Sequence, residues 1–210
     1  HQTGLDEHSG GWSDADAGWL SPGDGCCWLL AQAVSAGLAR FQGQTEVAAL
    51  RRSPSGEWQA LDHQGQLLAQ APVVVLANAG AVNRLLAPHA AALRLQAVRG
   101  QTTLLPADTP GLCPPRMALS GQGYGLTLPD GRVLTGATSQ AEDLDGSVRL
   151  ADHQHNLARA AQLGICLPDM AARETMATAG RVGWRATTPD RLPVIRPPVD
   201  RTAFDAARQS

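Results

Sequence analysis

The chain has 210 residues, 43% of them apolar, with 17 basic and 19 acidic side chains and a formal charge of −2, enough for one large domain or two small ones with a real core. The charge balance argues against a broadly basic nucleic-acid surface, and no apolar run approaches the roughly 18 to 20 residues that cross a bilayer. Every basic residue is an arginine, which removes Schiff-base lysines, the P-loop lysine and lysine-activated serines together.

The start, His1 to Trp12, lacks the charged-then-apolar pattern of an export signal. Cys26, Cys27, Cys113 and Cys166 have no CxxC spacing and read as reduced core thiols of a cytoplasmic protein. After Gly18-Trp19-Leu20-Ser21-Pro22, the residues Leu29, Leu30, Ala33, Val34 and Leu38 recur at helical spacing, with Asp24 placed to cap a start at Gly25 or Cys26. From Thr45 the period turns toward two: Glu46 to Arg51 reads as a strand, Ser53 to Gly56 as a turn, Trp58 to Leu61 as the antiparallel return, and Gln64 to Gln66 as a second turn. Pro72-Val73-Val74-Val75-Leu76-Ala77-Asn78-Ala79-Gly80 has the composition of a strand buried on both faces. Small residues at its carboxyl end leave room for a ligand, which is where α/β sheets bind theirs.

A short helix over Val82 to Leu86 stops at Pro88, and Leu95 to Leu105 reads as a long strand whose Gly100 marks a bulge or a close backbone approach. Pro106 to Pro115 is a loop and Arg116 to Leu119 a short strand. Tyr124, the only tyrosine, stands among Gly121, Gly123 and Gly125, either reaching over a pocket or shielding the sheet. Asp130-Gly131 turns a hairpin into Arg132 to Thr138. Ser147 to Leu163 has helical periodicity, with Asp152, His155 and Asn156 assigned to its polar face and both His153 and His155 to solvent. His153 and His155 diverge by about 200° and cannot share a metal. Thr175 to Ala186 is extended.

Arg185, next to Trp184 and three residues from Val182, is costly to bury unless an anion meets its fork, and a carboxylate is the best geometric match. A structural pair with Asp190 or Asp169 is the competing reading. Arg173, Arg181, Arg185, Arg191, Arg196 and Arg201 gather in the last fifth of the chain, where they could meet phosphate or be the ordinary surface charges of a protein whose only basic residue type is arginine. No zinc-ligand spacing and no G-x-S-x-G elbow occurs, so metal-dependent and serine hydrolysis fit poorly.

Taken in order, the Gly-Trp-Leu-x-Pro opening, helix, meander, Val-Val-Val-Leu-Ala-Asn run, Arg99-Gly100-Gln101, Gly123-Tyr124 and Arg185-x-x-Thr188-x-Asp190-x-x-Pro193 resemble the D-amino-acid oxidase and glycine oxidase family of flavoenzymes. Within it the chain is most similar to the oxidase domain of bifunctional tRNA 5-methylaminomethyl-2-thiouridine biosynthesis enzymes. The resemblance runs from about Gly18 to about Pro198 and implies an α+β, D-amino-acid-oxidase-like fold. Residues 1–92 would be a partial, Rossmann-like FAD-binding domain, 93–183 a substrate-binding domain with an antiparallel or mixed sheet, and 184–210 a return toward the first.

The resemblance also implies FAD as cofactor, held by Val47, Ala77, Asn78 and Gly80, and a substrate site made by Arg185 and Tyr124 with Arg99 and Gln101. It implies oxidative removal of the carboxymethyl group of 5-carboxymethylaminomethyluridine in tRNA, and a fused methyltransferase domain upstream that uses S-adenosylmethionine. No membrane partner is implied. A free glycine, sarcosine or D-amino-acid oxidase shares the carboxylate clamp, and a non-catalytic tRNA- or partner-binding module is a third reading. Two departures stand out. The GxGxxG fingerprint that holds a flavin pyrophosphate in this family is absent, so the chain reads as an internal piece, inactive by itself. Ala79 stands where the tRNA-modifying branch carries a glycine after the asparagine.

Overall fold

The computed structural model describes residues 18–167 and 179–195, with 14, 16 and 197. The chain divides into two compact units, one built on 97–185 and the other on 21–96 with the residues from 186. The change-overs lie at 96/97 and 185/186, against sequence expectations of 92/93 and 183/184.

The second unit opens with α1 (Pro22–Ser35), which starts earlier than Asp24 would dictate because Pro22 sits in its first turn, where a missing N–H costs nothing. Gly37, at φ +70°, ends it: the Leu38 N–H reaches the Ala33 carbonyl and the Gly37 N–H that of Val34, a Schellman closure. No residue of α1 is buried, and Trp28, Leu29 and Val34 are exposed. The meander follows as β1 (Ala49–Arg52), β2 (Trp58–Leu61) and β3 (Leu67–Ala71), antiparallel in that order. α2 (Val82–Leu86) packs on it, and Leu50, Leu61, Val82, Leu85, Leu86 and Ala90 form the core. His89 completes that packing: its ring meets Trp58 edge-on at 4.8 Å and its Nε2 lies 2.9 Å from the Leu50 carbonyl.

The strand expected over Pro72 to Gly80 does not form. Residues 72–78 have no regular structure, and Val73 and Val75 are exposed. An apolar run becomes a doubly buried strand only when neighbours pair both its edges, and among the described residues no strand pairs with it. The cysteines correct a second expectation in one respect: all four are free thiols, but they are exposed rather than in the core.

The first unit is a sheet in the order β5 (Leu119–Ser120), β6 (Tyr124–Thr127), β7 (Val133–Gly136), β4 (Gln96–Leu105), β8 (Gln140–Ala141), with β9 (Ala179–Thr187) also paired to β4. Asp130-Gly131 turns the β6–β7 hairpin, with Gly131 at φ +83°. Period-two burial along β4 places Arg99, Gln101, Thr103 and Leu105 on one face, and α3 (Leu150–Gln162) covers it.

α3 reverses the assigned amphipathicity. Asp152, His153 and Asn156 are buried along with Leu157 and Ala160, whereas Val148 and Leu150 are exposed. The cause lies on the sheet, whose covered face is itself polar and supplies a partner for each. Arg99 meets Asp152, Thr103 meets the His153 ring at 2.8 Å, and Asn156 Nδ2 donates to the Gln101 carbonyl at 2.9 Å. Of the two histidines only His155 is solvated.

Candidate functional site

Arg99 is wholly buried, and its fork is fully engaged. It donates to Asp152 Oδ2 at 2.6 Å, Gln140 Oε1 at 2.7 Å, and the carbonyls of Asp145 and Ser147 at 2.6 Å each. Gln101, equally buried, donates to the Arg149 carbonyl and accepts from the Arg149 N–H. Both residues fasten β4 to α3 and to the 143–149 loop rather than facing a ligand. Arg149 clamps that loop from outside, through Asp143 at 2.5 Å and Asp145 at 2.8 Å.

The opposite face of β4 carries Val98, Gly100, Thr102 and Leu104. Gly136 of β7 pairs with both Thr102 and Tyr124, so Tyr124 shares that face, since directly opposed residues do. β9 joins it in a register that three contacts fix. Thr102 Oγ1 donates to the Arg181 carbonyl, Thr187 Oγ1 to that of Gln96, and a side chain at Gly180 would meet His153, the partner of Thr103. Arg181 therefore lies opposite Thr102, Gly183 opposite Gly100, and Arg185 opposite Val98. Gly180 lies toward α3, so Arg181, Gly183 and Arg185 occupy the open face.

Arg185 is exposed. Its Nη2 lies 3.9 Å from where a Cβ on Gly100 would stand, and a Cβ on Gly136 would lie 3.3 Å from the Tyr124 hydroxyl. Glycine at both positions keeps side-chain atoms out from beneath the guanidinium and the phenol, where a Cβ would crowd the Thr138 carbonyl at 3.0 Å or Thr102 at 3.4 Å. Among the described residues no carboxylate pairs with Arg185. Asp190 instead caps its own turn, accepting from the Leu192 N–H at 3.1 Å, and Asp169 lies outside the described residues, as do Arg173, Arg196 and Arg201. Burial pushes the Tyr124 phenol up and the charge of Arg185 opposes it. At neutral pH the phenol keeps its proton and can donate. An available fork and a protonated phenol side by side have the donors that a carboxylate accepts. Gly136 has no motif of its own; its signal in the sequence is its place at the end of a strand entering Gly136-Ala137-Thr138.

The four cofactor candidates lie in the second unit. Val47, Ala77 and Asn78 line one open cavity of about 410 Å³, together with Val74, Leu76 and Leu85. Gly80 stands beside it in chain, and a Cβ there would meet nothing within 4 Å. Arg84 and Glu46 also line the cavity, paired at 2.8 Å. Apolar walls with a few polar groups suit a heteroaromatic ring, and the volume accommodates part of a dinucleotide. The residues present fit one portion of FAD.

The model of the family described as FAD dependent oxidoreductase matches residues 1–207. The tRNA 5-methylaminomethyl-2-thiouridine biosynthesis bifunctional protein MnmC of Methylibium petroleiphilum is 44% identical over 207 residues, covering 97% of this chain and 31% of that protein. Its counterpart in Burkholderia multivorans is 45% identical over 194 residues, covering 89% of this chain and 28% of that protein. The chain thus spans about a third of the length of the curated relatives it matches. Glycine oxidase from Geobacillus kaustophilus superimposes with a TM-score of 0.60 at 27% identity, over 79% of this chain and 42% of that one. An iminodiacetate oxidase from Chelativorans shares the fold, with a TM-score of 0.56 at 19% identity, over 80% of this chain and 43% of that one. The match along almost its whole length shows that this chain belongs to the FAD dependent oxidoreductase family.

Proposed function

We propose that the chain supplies the carboxylate-gripping face of an FAD-dependent amine oxidase that acts on a modified uridine of tRNA. The reaction is removal of the carboxymethyl group of 5-carboxymethylaminomethyluridine, leaving the aminomethyl form. The observation that carries this reading is the exposed Arg185, paired with no carboxylate among the described residues, standing with protonated Tyr124 beside Gly100 and Gly136. Family membership and the printed role of the relatives supply the reaction class.

The substrate resembles an N-substituted glycine. Arg185 meets its carboxylate with two parallel N–H donors, and the Tyr124 hydroxyl donates to the same group. Fixing the carboxylate at one end orients the adjacent C–H bond, which turns a diffusional encounter into a positioned one. When bound, FAD would supply a two-electron acceptor for oxidation of an amine, and Val47, Ala77, Asn78 and Gly80 are the residues that would hold part of it. The two-electron oxidation product, an imine at the carbon next to the carboxylate, would add water and break its C–N bond, releasing glyoxylate and leaving the aminomethyl group. Because the amine need only be neutral, no strong base is required at the site. Arg99 and Gln101 hold β4, and hence Gly100, in place beneath the substrate.

The word bifunctional in the relatives' names supports a fused second activity, read here as an upstream methyltransferase using S-adenosylmethionine, and a tRNA substrate fits a cytoplasmic enzyme. The solved glycine oxidase supports a competing reading, oxidation of free glycine or sarcosine with the same clamp. In the FAD-loaded enzyme, Arg185→Ala should lower kcat/KM for tRNA carrying the carboxymethylaminomethyl group by about tenfold to a hundredfold, the loss expected for a charged hydrogen-bonding partner. Unchanged kinetics would remove Arg185 from the site.

A further inference from the structure

The β4–β9 register gives the open face a feature that gripping one carboxylate does not use. Arg181 and Arg185 are separated by four residues of one strand and point to the same side, so their Cα atoms stand about 13 Å apart at a strand rise of about 3.3 Å. Both are exposed, and among the described residues neither pairs with a carboxylate. Gly183 lies between them with nothing within 4 Å of a Cβ, and opposite it is Gly100. The strip joining the two guanidinium groups is thus open over Gly183 and is bordered at Gly100 by the Thr138 carbonyl and the Ala137 methyl, 3.0 and 3.9 Å from where a Cβ would stand, with Thr102 and Tyr124 alongside. Trp184 and Val182 point the other way, Trp184 donating from its indole nitrogen to the Asp143 carbonyl at 2.8 Å, and this fixes which way the arginines face.

We propose that Arg181 is a second anion site, which binds the phosphate of a nucleotide whose base carries the carboxylate held by Arg185. The proposal rests on the carboxylate role of Arg185 proposed above. A pyrimidine lies flat on the glycine strip, its carboxylate arm directed to Arg185 and its 5′-phosphate to Arg181. The base, ribose and arm together give a separation that two flexible arginine side chains can bridge. A small dianion has both charges much closer together and cannot occupy both sites without drawing the arginines against each other. Arg181 thus distinguishes a nucleotide substrate from a free amino acid sharing the same carboxylate.

The test is calorimetric titration of the 210-residue chain with 5-carboxymethylaminomethyluridine, its 5′-monophosphate and iminodiacetate, for the unsubstituted chain and for Arg181→Gln and Arg185→Gln. Both substitutions are at exposed positions, and circular dichroism is used to check that the variants fold. The expected result is that Arg181→Gln weakens the monophosphate about fivefold to tenfold, as for a partly solvated charged contact, and leaves the nucleoside unchanged. Arg185→Gln weakens nucleoside and monophosphate alike. Equal monophosphate affinity with and without Arg181, or loss of iminodiacetate binding in Arg181→Gln, overturns this inference while leaving the carboxylate role of Arg185 standing. Failure of Arg185→Gln to weaken either uridine overturns both.

Discussion

Ala79 is the one position at which a departure from the family pattern becomes a backbone cost. It holds φ at +48°, a left-handed conformation that costs an L side chain about 1 kcal/mol or more and glycine almost nothing. Ala79→Gly should therefore raise stability in urea by about 0.5–1 kcal/mol, after glycine's greater unfolded-state entropy is subtracted. A lowered denaturation midpoint would contradict that. The sequence showed an alanine in a glycine's place but not the conformation it was forced to take. Arg185 was legible as a cation needing an anion. Its freedom from Asp190 was not, because Asp190 is satisfied by local backbone hydrogen bonds that charge counting does not register.

At the scale of elements, alternation along β4 was readable, but which face the helix would cover was not. Asp152, His153 and Asn156 looked like a solvent face because polarity is ordinarily a surface signal; here it answers Arg99, Gln101 and Thr103 across the helix–sheet interface. Removing one member of a buried ion pair strands the other, so Arg99→Leu should cost about 3–5 kcal/mol. Urea unfolding would show this as a large fall in midpoint, and a near-neutral result would show Asp152 to be solvated.

His153 adds a pH dependence. Burial lowers its pKa from 6.5, with Asp152 opposing. As pH falls through 6.5 the unfolded chain takes up the proton first, so stability present above that pH declines below it until the folded imidazole also titrates. Melting temperature should fall between pH 7 and pH 5, and His153→Gln should flatten the fall. An equally steep profile in the variant would assign the dependence to another group.

Over the molecule as a whole, the order of motifs carried more information than any single segment. The meander, α2, β4, the Asp-Gly hairpin and β9 all form close to where spacing predicts them, because each is specified by local periodicity and turn chemistry. Residues 72–80 fail as a strand for a non-local reason, since a doubly buried strand depends on partners that composition cannot supply. The same reasoning explains why the open face of β4, β7 and β9 could not be foreseen: a register between segments 80 residues apart decides that Arg185, Gly100, Gly136 and Tyr124 meet.

Recognition of a carboxylate by this face is tested most directly by comparing binding of 5-carboxymethylaminomethyluridine with 5-aminomethyluridine, which lacks the carboxylate, for the chain and for Arg185→Ala. A preference of at least about tenfold for the carboxylate form is expected, reduced nearly to parity in the variant. Equal affinity for the two nucleosides, or a preference that survives Arg185→Ala, would contradict it.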